Sequence, residues 1–129
     1  MAQEAPYVTI GRQFVEFYYQ TFDTNRAGLG GLYRPTSMMS WEEKHHLGAD
    51  AIVEKLTNLP FSKVQHDVTN ATKDFQPIGE DTILVLITGA LMVEGQERPM
   101  SFSQVFTLKQ DAQNWYIYNE MFRFVYPAA

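Results

Sequence analysis

The chain has 129 residues, 45% apolar and 14% aromatic, which suits one domain around one core. With no cysteine it has neither a disulfide frame nor thiol chemistry, which fits a reducing compartment. A formal net charge of −5 argues against a nucleic-acid groove, which needs clustered Lys and Arg, and favours a basic partner.

The opening MAQEAPYVTIGRQF lacks the charged-then-apolar order of a signal peptide. No apolar run approaches the roughly 20 residues that span a bilayer. The expectation is a soluble intracellular domain over 1–129, with no nucleic-acid or membrane partner. Residues 6–24 read as a long helix. Pro6 suits its first turn, and Ile10, Phe14, Phe17, Tyr18 and Phe22 form one stripe with Glu16 and Gln20 opposite. Asp23, Thr24 and Asn25 end it with turn-forming side chains. Three glycines in 26–33 predict a short irregular helical turn, and Pro35-Thr36 a break.

Residues 37–43 (SMMSWEE) read as a short strand, and 44–48 as a tight link carrying His45 and His46. From Ala49, the residues Ala51, Ile52, Lys55, Leu56 and Leu59 keep helical spacing until Pro60 stops it. From Lys63 the period becomes two, with Val64, His66 and Val68 alternating with polar residues in a strand that reaches toward Gln76. Leu59, Phe61 and Val64 therefore meet at one corner, read as the wall of a cavity.

Residues 77–81 read as a loop and 82–93 as a strand covered on both faces. A polar turn at 94–98 leads to a strand at 100–109, a turn at 110–114 and an aromatic-rich strand at 115–126. The order predicts an α+β fold, a bent antiparallel sheet curled as a cone around the long helix, with two further helical pieces. In the last strand Met121 is beside Phe122, and Phe124 beside Val125. Either a bulge interrupts the strand or both faces are apolar. An outer face bearing Leu84, Leu86, Val105, Tyr116, Tyr118 and Met121 predicts a twofold homodimer.

Several blocks carry a resemblance over essentially the whole chain. They are FYYQTFDTNRAGLGGLY at 17–33, SWE at 40–42, AIVEKLTNLPFSKVQH at 51–66, FSQVF at 102–106 and NEMFRF at 119–124. The chain resembles the nuclear transport factor 2 family, carriers that return the GDP-bound small GTPase Ran to the nucleus. The resemblance implies a cone-shaped fold, a sheet-to-sheet homodimer, and residence in cytoplasm and nucleus with enrichment at the nuclear pore. It implies a cavity that receives an aromatic side chain of Ran, lined by Trp41, Leu59, Val64, Met100, Met121 and Phe122. Glu42, Glu94 and Glu97 would form an acidic rim for basic residues of Ran. His66, turned inward by alternation toward Asp23 or Glu42, would order the mouth as a hydrogen-bonded core histidine. A second, shallow site near Tyr7 would hold Phe-Gly repeats of nucleoporins. The family often has two aspartates in the acidic turn. Here the turn is EGQERP, with Glu94 at one, Gln96 or Glu97 near the other, and Arg98 adding a positive charge.

Two other readings stand beside this one. Cone folds also host small-molecule isomerases and dehydratases, for which Tyr19, Asp23 and His66 are the candidate set. An adaptor that binds nucleoporins without Ran is the other. The adjacent His45 and His46 have no third ligand at a metal-binding spacing, and no phosphate loop or nucleophile motif is present, so neither a metal nor a cofactor is expected.

Overall fold

The computed structural model describes residues 4–61, 63–112 and 114–125. Helix α1 (Pro6–Thr24) is followed by a 3-10 segment (Arg26–Leu32), strand β1 (Tyr33–Trp41), strand β2 (Lys44–Leu47) and helix α2 (Ala49–Thr57). Then come β3 (Val64–His66), β4 (Thr72–Ile78), β5 (Thr82–Val93), β6 (Met100–Asp111) and β7 (Asn114–Phe124). The sheet order is β2-β1-β7-β6-β5-β3, with β4 also paired to β5. The result is a curved α+β fold with the helices on the concave face.

Both long helical readings hold, and so do the β5 and β6 starts. Several boundaries differ, four of them for a local reason. β1 begins at Tyr33 and passes through Pro35, where its register against β7 shifts and the missing N–H breaks no ladder. The link at 44–48 is a strand, because Glu42 and Glu43 form a two-residue hairpin that pairs Trp41 with Lys44. The expected strand at 63–76 is two strands. Asp67 accepts from the Asn70 amide at 3.1 Å while its own amide still donates to the Ala90 carbonyl of β5, and this turn interrupts the pairing before Thr72. Pro77 and Ile78 belong to β4 rather than a loop, since β4 is an edge strand that tolerates proline. The last strand ends at Phe124, and Tyr126 lies outside the described residues.

One pairing is not antiparallel: β1 runs parallel to β7. α2 and its flanking turns carry the chain from β2 to the far edge, β3. A bulge is one of two alternatives for the apolar neighbours at 121–125; the bulge in β7 sits instead at Tyr118, where the register against β6 slips by one residue. Beyond it the alternation is clean: Glu120 and Phe122 turn inward, Met121 and Arg123 outward.

α1 buries Gly11, Phe14, Val15, Tyr18, Tyr19 and Phe22. Phe17, expected in that stripe, is 54% exposed on the other face. Gly11 is required by close approach, because a Cβ there would lie 2.4 Å from the Phe75 ring. The core is aromatic, with Tyr18 edge-on to Phe106 at 4.9 Å and Phe14 to Phe106 at 6.4 Å.

Candidate functional site

Strand pairing alone decides which residues meet. Trp41 at the end of β1 is registered with Phe122 of β7. Phe124 pairs with Phe102 at the start of β6, Met100 with Leu91 of β5, and Val93 with Val64 of β3. Five strand ends, with Leu59 beyond α2, thus converge at one end of the cone. Of the expected lining, Trp41, Leu59, Val64 and Phe122 are buried and Met100 is half-buried. Met121 does not join them. It stands 58% exposed on the convex face, because alternation turns it away from Phe122.

The mouth is closed by its own rings. Trp41 stacks on Phe122 at 3.9 Å with 5° between planes, and lies nearly parallel to the Phe22 ring at 6.3 Å. Phe102 continues the stack at 5.6 Å from Phe122. The expected open funnel is therefore filled at this level. Open space lies beside β3 instead. One groove of about 750 Å³ is bounded by Gln20, Asp23, Lys63, Val64, Met92 and Glu94, and another of about 420 Å³ includes His66, Leu91 and Pro99.

The acids flank this end from two sides. Glu42 and Glu43 have φ of 51° and 76°, left-handed values that favour Asn and Gly in a two-residue hairpin. Each costs about 1–2 kcal/mol in a residue with a Cβ. Glu42 is locked in place: its amide donates to the Phe122 carbonyl at 3.0 Å, and its Oε1 accepts from the Phe124 amide at 2.5 Å. Glu43 takes Arg123 at 2.9 Å on the surface. Glu94 and Glu97 are exposed in the turn after β5, where the Glu94 amide donates to the Lys63 carbonyl at 2.9 Å. β1 and β5 are three strand spacings apart, so the two acidic corners stand about 14 Å from each other along the sheet. Arg98 is exposed in the same turn as Glu97.

His66 is buried as a core histidine. Its Nδ1 meets Asp23 Oδ1 at 2.7 Å, and its amide donates to Asp23 Oδ2 at 2.8 Å. A carboxylate opposite Nδ1 places the proton on that nitrogen. Tyr19 stacks on the ring at 4.4 Å. The three residues considered for catalysis are thus neighbours, but the Tyr19 hydroxyl turns away and donates to Gln104 Oε1 at 2.7 Å.

The sequence reading placed acids only at the lip, and the floor carries one it missed. Glu120 is 1% exposed. Its Oε2 accepts from the Tyr18 hydroxyl at 2.8 Å and Gln104 Nε2 at 2.7 Å, and its Oε1 from the Tyr33 hydroxyl at 2.6 Å. Burial raises its pKa, and the donors from Tyr33, Tyr18 and Gln104 restrain the rise. Burial first, then the nearby Glu120 charge, pushes the Tyr18 and Tyr33 phenols well above their usual value. Period-two spacing from the inward Phe122 was the available signal. Carboxylate and phenols satisfy one another in a sealed core, which is a structural network and leaves no face for a substrate. Among the described residues no group of three His, Cys, Asp or Glu could hold a metal. Burial, then Lys55, lowers the His46 pKa.

Tyr7 lies at the opposite end of α1. With Pro6, Ile10, Pro77, Ile83 and Trp115 it bounds a shallow groove of about 270 Å³. On the convex face Leu86, Val105 and Met121 lie side by side across β5, β6 and β7. Leu84, Val105, Tyr116 and Tyr118 are half-buried there, and Leu86 is 42% exposed. No described helix is long and apolar enough to cross a membrane.

The model of the nuclear transport factor 2 (NTF2) domain matches residues 10–124. The chain is 51% identical over 126 residues to nuclear transport factor 2 of Emericella nidulans, covering 96% of this chain and 99% of that one. It is 46% identical over 121 residues to the Saccharomyces cerevisiae protein of the same name, covering 93% and 95%. The solved structure of nuclear transport factor 2 from Cryptosporidium parvum matches with a TM-score of 0.85 at 39% identity, over 97% of this chain and 100% of that one.

Proposed function

The chain belongs to the nuclear transport factor 2 family, and on that premise we propose that it is a nuclear import carrier for Ran in its GDP-bound form. One observation carries the reading: an apolar mouth of Trp41, Leu59, Val64, Met100 and Phe122 lies between acidic corners at Glu42 and at Glu94 and Glu97. The strained Glu42-Glu43 hairpin supports it, because two acids are held side by side at this corner at a backbone cost. An aromatic side chain of Ran enters this mouth, and basic neighbours pair with the rim. Trp41 and Leu59 shift to admit it, since both are buried in the unbound chain.

Burying a Phe-sized ring contributes about 1.5–3 kcal/mol. Even a millimolar complex needs about 4 kcal/mol. The carboxylates therefore add affinity and on-rate, and binding weakens as salt rises. His66 orders the mouth through Asp23 and takes no part in chemistry.

Phe-Gly repeats bind at the Tyr7 groove. It lies about 28 Å from the mouth along a 19-residue helix, so both partners fit at once. The convex face with Leu84, Leu86, Val105, Tyr116, Tyr118 and Met121 pairs with a second copy. The protein moves between cytoplasm and nucleus, concentrates at the pore, and catalyses nothing. Immobilised protein should retain Ran loaded with GDP and not with GTP, and Glu42→Lys should abolish retention. Equal retention of both nucleotide states refutes the carrier reading.

A further inference from the structure

Pro60 leaves a gap in helix α2's hydrogen bonding. In a continuing helix the Leu56 carbonyl would accept from the amide of residue 60, and proline has none. The gap is filled from another element. Arg26, which opens the 3-10 segment, sends Nη1 to the Leu56 carbonyl at 3.3 Å and Nη2 to the Phe61 carbonyl at 2.5 Å. Its guanidinium also lies 5.6 Å from the Phe22 ring centroid and 5.2 Å from that of Phe61. One planar fork thus grips both ends of the Leu59–Pro60 corner and fastens it to the end of α1.

We propose that Arg26 is a positioning residue that holds the Leu59–Phe61 corner in register as one lip of the partner-binding mouth. The proposal rests on the carrier reading for its consequence, not for its geometry. Both of these contacts are to backbone carbonyls, so the role of Arg26 depends on shape as well as charge. A lysine ammonium is a single point on a flexible stem and cannot span both carbonyls while lying against two rings. Arg26 acts through Leu59 and Phe61 and need not touch Ran.

The test compares wild type with Arg26→Lys and Arg26→Met. Hydrogen–deuterium exchange is read at Leu56–Val64 and, as control, across β6 and β7. Both variants should speed exchange at the corner while leaving β6 and β7 protected. Both should also bind Ran-GDP about tenfold more weakly, the factor carried by one charge-assisted hydrogen bond. Wild-type binding by Arg26→Lys would overturn the proposal, because charge alone would then suffice. Unchanged corner exchange in both variants would overturn it as well. A wild-type chain that retains no Ran would refute the carrier reading instead, and the exchange data would still decide for or against Arg26 as the clamp. Arg26→Lys, which keeps the charge on a shorter side chain, carries the test if Arg26→Met does not fold.

Discussion

Glu42 performs two tasks that a pair of substitutions separates. Its Oε1 accepts the Phe124 amide at 2.5 Å, which staples the β1–β2 hairpin to the end of β7. Its charge, in the proposed function, faces a cation of Ran. Glu42→Gln keeps an acceptor for Phe124 and removes the charge. Glu42→Ala removes both. The left-handed strain at φ 51° cancels in the comparison, since all three residues have a Cβ. A charged acceptor on a backbone amide contributes about 1.5–3 kcal/mol, and a neutral one about 0.5–1.5 kcal/mol. Glu42 is half-buried, which places its bond at the low end of that range. Urea denaturation should therefore show Glu42→Ala about 1.5 kcal/mol less stable than wild type, with Glu42→Gln in between. Ran-GDP affinity should fall about tenfold in both, because both lose the same charge. The dependence of binding on salt should flatten equally in both. Wild-type affinity and salt dependence in Glu42→Gln would refute the charge pairing. An unchanged urea midpoint in Glu42→Ala would refute the staple.

Three further outcomes follow from the same geometry. Glu120 has a raised pKa in the fold, so the folded chain holds its proton more tightly than the unfolded chain. Its contribution to stability is therefore lost as pH rises from about 4.3, the usual glutamate value, through the raised one. The stability of wild type relative to Glu120→Gln, from urea melts across pH 4–8, should fall with increasing pH, and a flat difference contradicts the assignment. Met121→Glu places a charge on a 58%-exposed convex position and should give a folded monomer by light scattering, whereas a persistent dimer moves the interface elsewhere. Tyr7→Ala should weaken binding of a Phe-Gly peptide while leaving Ran-GDP binding within about twofold, and loss of both would place the two sites together.

The long periodic segments were legible in the chain: α1, α2, β5 and β6 follow from apolar spacing and from Pro60 as a stop. So were the convergence of SWE with NEMFRF, through the family resemblance, and the outward apolar set of the last strands. These depend on local period, which a linear string records. The parallel pairing of β1 with β7, the β3–β4 break at Asp67 and Asn70, and the β2 hairpin depend on contacts or turns that override propensity. Only the tertiary structure decided that Met121 and Phe122 serve opposite faces, that the mouth is filled by its own stacked rings, and that Glu120 sits sealed among phenols. A one-residue shift in a strand exchanges inside for outside, and the bulge at Tyr118 makes such a shift. The chain alone singled out Trp41, Leu59, Val64 and Phe122, which meet at one end of the cone, and packing determined which way each expected residue points.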